Sequence, residues 1–360
     1  MGEAFVWRSP AGIWLGMNQS APVGQPQRVE RYAGLTLPPG IPVTHETLPR
    51  IARDGLDIII GRPARCWGAS MGANEAGVAG SVIRADNRWH FRSSLLKEDL
   101  LRLALMQATS AKAAVGLVSL YVERFARSGR RSMEPAVFTF ADGEAIWVME
   151  TRGRAWWAQS VGHFTALTGA PAWSGDARLH SANADEASRP ACLPAAMERR
   201  QRALARGLAH VINHHETGDF TLLANILRGD ISEHWQHQDD AICRHGSLWH
   251  RETANSFLAL LTPGERPQLW FTGSSRPCIS LFKPVSWDAE PWFSRHMHFW
   301  ENWRKAVRLA QRSPVIRERL IRLHAELEGQ WPRFLQEDIN VVIRLEQWWN
   351  AVIQILKQAP

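Results

Sequence analysis

Tyrosine is nearly missing from this chain, 2 residues in 360, while Trp reaches 18 and Phe 13. The aromatic content is therefore mostly indole, which brings a broad apolar surface and an N–H that needs a partner when buried. Cysteine is sparse as well: the four residues at 66, 192, 243 and 278 form no C-x-x-C pair, which removes a zinc ribbon or a thioredoxin-type dithiol and leaves reduced thiols as the expectation. No apolar run approaches the roughly 18 residues of a membrane span. The opening MGEAFVWRSPAGIWLG lacks a basic region followed by an apolar stretch and a small-residue cleavage site. A soluble, cytoplasmic protein without a membrane partner is expected. Charge of one sign is lacking too, since 42 Lys and Arg are interspersed with 35 Asp and Glu for a net +7. Without a basic stripe, nucleic acid is not an expected partner, and RRSMEP and ERRQRALARG read as solvated helix faces. With 45% hydrophobic and 21% charged residues, the chain is an ordinary globular one. Its length fits two domains or one large sandwich.

Short apolar stretches at 4–7 and 13–17, split by the turn-forming SPAG, predict an N-terminal hairpin. Residues 21–50, rich in Pro and Gly, read as a long connection or an edge segment. DIIIG (Asp57 to Gly61) and GVAGSVIR predict buried strands. Helical spacing from Leu95 to Phe125, with Thr109 and Ser110 placed to cap a second helix, predicts a helix pair. Alternating aromatic and β-branched residues on either side of Asp142 and Gly143 give the strongest hairpin signal. SFLALLTP and PQLWFTG add two strands around Pro263 and Gly264, and from Pro291 to Leu356 the pattern is helical. The order predicts an α+β protein with antiparallel sheets covered by helices.

The stretch RPARCWGASMGANEAGV (Arg62 to Val78), together with GEAIWVMETRGRAWWA (Gly143 to Ala158), CRH (Cys243 to His245) and WFTGSSRPCISLFKPV (Trp270 to Val285), resembles the secernin and cysteine dipeptidase branch of the N-terminal-nucleophile (Ntn) hydrolases. The resemblance runs from Phe5 to Val285. It implies a four-layer αββα sandwich over residues 1–288, with a Trp-rich helical C-terminal extension, residues 289–360, packed on it. It also implies hydrolysis of short peptides or related amides by a thiol at the first residue of the mature chain, whose α-amine acts as base. Here Gly2 occupies the nucleophile position, with removal of Met1 left open. Ser20 and Ala21 stand where the family has Asp and Arg, and SMEPAVF (Ser132 to Phe138) lacks the family's His and Asn. Nucleophile, orienting carboxylate and guanidinium are thus substituted together, and such units fail together.

The expected reading is an inactive or rerouted hydrolase homologue that binds a small peptide or amide-like ligand or a protein partner, with a homo-oligomer also open. Pocket candidates implied by the resemblance are Gly2, Asn18, Asn74, Asn183, Arg244 and His245. Against each stands a plainer role: turn formation for Asn74 and Asn183, a hydrogen-bonded structural residue for His245. Cys66, beside Trp67, is a candidate replacement nucleophile, or else a small buried hydrophobe. HWQHQDD, with His234, His237, Asp239 and Asp240, has the donor types of a metal site, but adding His214 and His215 does not fix a geometry. No metal and no cofactor is therefore expected. Two further readings stay open: an active amidohydrolase with a non-standard nucleophile, and an interaction protein working through Trp300, Trp303, Trp348 and Trp349 of the tail.

Overall fold

The computed structural model describes residues 2–51, 54–85, 95–125, 134–169, 179–182, 195–214, 218–229, 241–246, 251–331 and 340–358. In chain order the first strands are β1 (Gly2–Ser9), β2 (Gly12–Pro22), β3 (Gln27–Tyr32), β4 (Gly40–Pro42), β5 (Thr47–Pro49), β6 (Ile58–Pro63), β7 (Met71–Asn74) and β8 (Ala79–Arg84). Helices α1 (Lys97–Leu105) and α2 (Ala111–Phe125) follow, then β9 (Ala136–Ala141), β10 (Ile146–Arg152), β11 (Ala155–Val161), β12 (Phe164–Leu167) and β13 (Leu179–His180). After α3 (Ala195–His214) and α4 (Phe220–Arg228) come β14 (Arg251–Leu261), β15 (Gln268–Phe271) and β16 (Lys283–Val285). The chain closes on α5 (Trp292–Arg295), α6 (Phe299–Arg312), α7 (Pro314–Glu328) and α8 (Val341–Lys357).

The strands pair into two antiparallel sheets. One runs β12-β1-β2-β14-β15-β16, the other β13-β11-β10-β9-β8-β7-β6-β3. The alternation of side chains along each strand sorts the apolar residues into layers. Ile58 and Ile60 of β6 join Leu100 and Leu101 of α1 and Val118 of α2 on the outer face of the larger sheet, while Ile59 turns to the opposite face and joins the cluster that holds Val6, Met17 and Phe257. On the far side, α3 and α4 lay Leu204, Leu208 and Leu223 against the six-stranded sheet, where Phe220 packs on Trp270 with ring centroids 5.0 Å apart. The order helix, sheet, sheet, helix is the αββα sandwich that the resemblance implies.

The N-terminal hairpin and the β9–β10 hairpin stand where the turn residues predict them. Asp142 builds the latter by accepting from the backbone N–H groups of Glu144 and Ala145 at 2.8 and 2.7 Å. Ser110 accepts from the N–H of Ala113, which gives α2 the predicted cap. Within residues 21–50, β3 is an edge strand of the larger sheet and β4–β5 a separate small hairpin.

The last four helices sit on the sandwich through their indoles. Trp300, Trp303 and Trp331 donate to the carbonyls of Ala254, Ser275 and Phe282 at 3.0, 3.2 and 2.8 Å. Lys283, with no exposed surface, donates to the carbonyls of Thr272 and Leu281 and faces the rings of Phe299 and Trp348 at 4.6 and 4.7 Å. Burial holds its ammonium well below the usual lysine range. Arg228 at the end of α4 grips both carboxylate oxygens of Glu328 at the end of α7, at 2.6 and 2.8 Å. Among the described residues no helix is long and apolar enough to cross a membrane.

Candidate functional site

Gly2 begins β1 and pairs with Gln19 of β2, while Glu3 pairs with Asn18. Glu3 reaches Arg200 of α3 at 3.0 Å and Asn18 reaches the carbonyl of Leu227 in α4, so both face the helix layer. Alternation then turns Gly2 and Gln19 toward the opposite sheet. There is no room at Gly2 for a side chain: an ideal Cβ would stand 2.5 Å from the backbone carbonyl oxygen of Asn18. A backbone atom in a paired strand gives way only with the strand, so the position is closed as well as empty.

The other residues suggested by the sequence occupy three separate places. Asn18 is fully buried and fully bonded, donating to the carbonyls of Leu227 and Ile242 at 2.8 and 3.2 Å and accepting from Ser256 Oγ at 2.6 Å. Ser20 lies two residues further along β2, its buried hydroxyl without a partner among the described residues, and Ala21 pairs with Glu252. Glu3 is pushed above the usual carboxylate range by burial, an effect opposed by Arg200 and Arg244. Asn74 belongs to the other sheet. Its amide donates to the carbonyls of Leu105 and Ala108 at 2.9 and 2.7 Å and its oxygen accepts from the N–H of Val78, so it staples the β7–β8 turn to the end of α1. Asn183 lies outside the described residues, as do His215, His234, His237, Asp239 and Asp240. His214 ends α3 and packs its ring on His210 at 4.4 Å.

Arg244 and His245 point to different neighbours. The backbone of Arg244 is bonded to Thr253 from both sides, its N–H donating to Thr253 Oγ1 at 2.9 Å and its carbonyl accepting from the Thr253 N–H at 3.0 Å. Its charge bears on Glu3. His245 instead places Nε2 3.1 Å from Cys278 Sγ, and Cys243 joins them: the three ligand-type atoms lie within 4.8 Å of one another, all buried. Sequence reading singled out Cys243 and His245 but not Cys278, which the β15–β16 connection delivers from 33 residues away.

A cavity of about 240 Å³ opens elsewhere, between β3, the chain leading into the β4–β5 hairpin, and α1. Leu35, Leu37, Pro38, Ile41 and Met106 make its apolar wall, and Tyr32, Trp67 and Arg102 close one end. Arg102 is 6% exposed, its guanidinium held 3.9 Å over the Tyr32 ring and 4.3 Å over that of Trp67, with one N–H donated to the Trp67 carbonyl at 2.6 Å. Among the described residues its Nε has no partner. Trp67 is fixed in turn: its N–H donates to Thr44 Oγ1, and that hydroxyl donates to Asp99 of α1 at 2.6 Å. A second cavity shares Tyr32, Trp67 and Arg102 and adds Arg62, Arg65 and Cys66. Burial and the nearby Glu98 push the Cys66 thiol up to about 12. At neutral pH it is a thiol, unsuited to the nucleophilic role weighed for it. None of Gly2, Asn18, Asn74, Arg244 and His245 lines either cavity.

The sequence did not single out Tyr32 or Arg102. Its available signal was Arg102 on the otherwise apolar side of a helix, flanked by Leu100, Leu101, Leu103 and Leu105.

No protein-family model matches the chain. Among solved structures it is similar to a mutant of the conjugated bile acid hydrolase from Clostridium perfringens (10% identity, TM-score 0.49, covering 80% of this chain and 93% of that one). It is similar also to penicillin V acylase from Agrobacterium tumefaciens (9%, TM-score 0.47, 79% and 86%) and to the Caenorhabditis elegans ortholog of N-acylethanolamine-hydrolyzing acid amidase (9%, TM-score 0.41, 73% and 94%). The layer order of this chain stands on its own strand pairing, and no substrate passes to it from these proteins.

Proposed function

We propose that this chain is a secernin-like Ntn-hydrolase homologue that does not cleave amides from its second residue and instead binds a small, partly apolar anion, such as a short peptide or acyl-amide carboxylate, beside Arg102. The observation that carries the first half is the closure at Gly2: a residue without a side chain, whose Cβ would meet the Asn18 carbonyl oxygen at 2.5 Å, offers neither a thiol nor space for one. The second half is supported by the paired cavities, one apolar and one lined by Arg62, Arg65 and Arg102. Planar guanidinium groups suit bidentate recognition of a carboxylate.

The test combines turnover with binding. On dipeptide and acyl-amide panels the unmodified protein is expected to be silent. An N-acyl amino acid such as N-octanoylglycine should raise its melting temperature, and Arg102→Met should remove that shift. Hydrolysis that survives N-terminal blocking but disappears on substituting another nucleophile would overturn the reading in favour of a non-standard amidohydrolase. A shift retained by Arg102→Met would remove Arg102 from the ligand's path. Gly2→Cys is expected to restore nothing and to lower the melting temperature.

Of the four tryptophans offered for the interaction-protein reading, Trp300, Trp303 and Trp348 are 3%, 0% and 2% exposed and Trp349 is half-buried, so any partner surface on the tail would centre on Trp349.

A further inference from the structure

We propose that Cys243, His245 and Cys278 bind a soft divalent metal ion of the Zn²⁺ class, with solvent completing a tetrahedral shell. The chemistry of the donors comes first. Two sulfurs and an imidazole nitrogen favour zinc and its soft neighbours over calcium or magnesium. Ligand atoms around a tetrahedral zinc stand about 3.4–3.8 Å apart, given Zn–S and Zn–N bonds of about 2.3 and 2.0–2.1 Å. Here the three ligand-type atoms already fall within 4.8 Å of one another, and the His245–Cys278 separation is 3.1 Å. Sub-ångström adjustments of side chains bring them to a common centre.

The backbone around the cluster is tied together by hydrogen bonds of its own. Thr253 at the start of β14 anchors both sides: it exchanges hydrogen bonds with Arg244, and its carbonyl accepts from the N–H of Arg276 at 2.9 Å. Arg276 stands in the left-handed region at φ 61°, the one non-glycine residue among those described to do so. That conformation turns the chain into the short 3₁₀ helix Pro277–Ile279, which presents Cys278. Arg228 then clamps this helix by donating to the carbonyls of Pro277 and Ser280. A backbone residue held in an unfavourable region beside three ligand-type side chains is the arrangement expected where function over-determines the local structure.

Charge is consistent with loading. On binding, two thiols lose their protons to solvent as two metal–sulfur bonds form, and His245 contributes a neutral nitrogen. The resulting dithiolate complex of a divalent ion carries no net charge. The site is separate from the Arg102 cavity and does not depend on the ligand-binding reading above.

Cobalt(II) reports the site in the full-length protein. After reduction with a phosphine and removal of adventitious metal, one equivalent of Co²⁺ should produce sulfur-to-cobalt charge-transfer bands and tetrahedral d–d bands, which Zn²⁺ abolishes with release of protons to a weak buffer. Cys243→Ser and Cys278→Ser should each remove the charge-transfer intensity or cut it by about half, while Cys66→Ser leaves it intact. If the serine variants fail to fold, zinc-edge X-ray absorption on the unmodified protein keeps the question decidable: two sulfur neighbours are expected. A reduced, folded chain that gives no cobalt bands overturns the proposal, and so does a zinc shell without sulfur. A Cys243–Cys278 disulfide that, once reduced, leaves a metal-blind protein assigns the pair to redox chemistry and overturns it equally.

Discussion

Glu150 lies on β10, buried at 5% exposure, paired in the ladder with Val137 and Trp157. Burial raises its carboxyl from 4.5 to about 7, against a weaker pull from Arg152 3.8 Å away. The folded protein therefore binds this proton more tightly than the unfolded chain does. The associated stability is present in full below about pH 4.5 and is lost as pH rises through about 7. Glu150→Gln should leave stability nearly unchanged at acid pH and add up to about 3 kcal/mol above neutrality, flattening the pH profile. Denaturant unfolding of both proteins at two pH values checks this, and parallel profiles would refute it. At the same scale, sequence reading recovers what neighbouring residues decide and misses what distant ones decide. Ser110 and Asp142 bond to groups two or three residues away, and both were legible as cap and turn. Asn18 was legible as a conserved-looking motif residue only through the family resemblance. Its actual role, a bridge to the carbonyls of Leu227 and Ile242, depends on partners more than two hundred residues away.

Helices α3 and α4 show the same limit among elements. The stretch ERRQRALARG reads as a solvated helix face, yet Met197, Arg200, Leu204, Leu208 and Val211 recur at three- and four-residue spacing and are buried against the six-stranded sheet. An arginine on that stripe hid the pattern, because the carboxylate that makes its burial tolerable, Glu3, sits 197 residues earlier. Between elements, the Arg228–Glu328 pair does the joining, with Glu328 also accepting from the N–H of Phe282 at 2.8 Å. Glu328→Ala leaves a buried guanidinium uncompensated and should cost about 3–5 kcal/mol. Glu328→Gln keeps the shape and one acceptor, so it should cost less. Chemical denaturation ranks the two, and equal losses would mean that the charge accounts for the whole effect and the retained shape and acceptor for none of it.

At the scale of the whole molecule, the expectation that residues 289–360 form an extension packed on a sandwich can be tested by truncation. The helices of this segment do not lie on a finished surface. They cap Lys283 with Phe293, Phe299 and Trp348, cover the Phe282 backbone with Trp331, and supply the carboxylate that Arg228 holds. Ending the chain after Glu290 would expose an amine, several carbonyls and the apolar face beneath the indoles at once. Such a protein should be recovered as an aggregate or with a strongly reduced melting temperature. A soluble, cooperatively melting fragment would show that the sandwich is independent. At this scale, antiparallel sheets covered by helices were legible because strand and helix patterns follow one another in blocks, while the four-layer order was implied only by the resemblance. The cavity beside Arg102 was not, because its walls come from β3, a hairpin strap and a helix that only folding brings together.

The crowding at Gly2 has a consequence over generations of sequence change. A side chain removed by simple replacement can ordinarily return through a single codon, whereas here the neighbouring strand stands where the first carbon of any side chain would go. Reversal would require β1 and β2 to separate locally before any new atom could be tolerated. Such an intermediate has lost ladder hydrogen bonds and has not yet acquired chemistry to select for. A descendant of this protein can therefore gain new binding partners far more readily than it can place any side chain at residue 2.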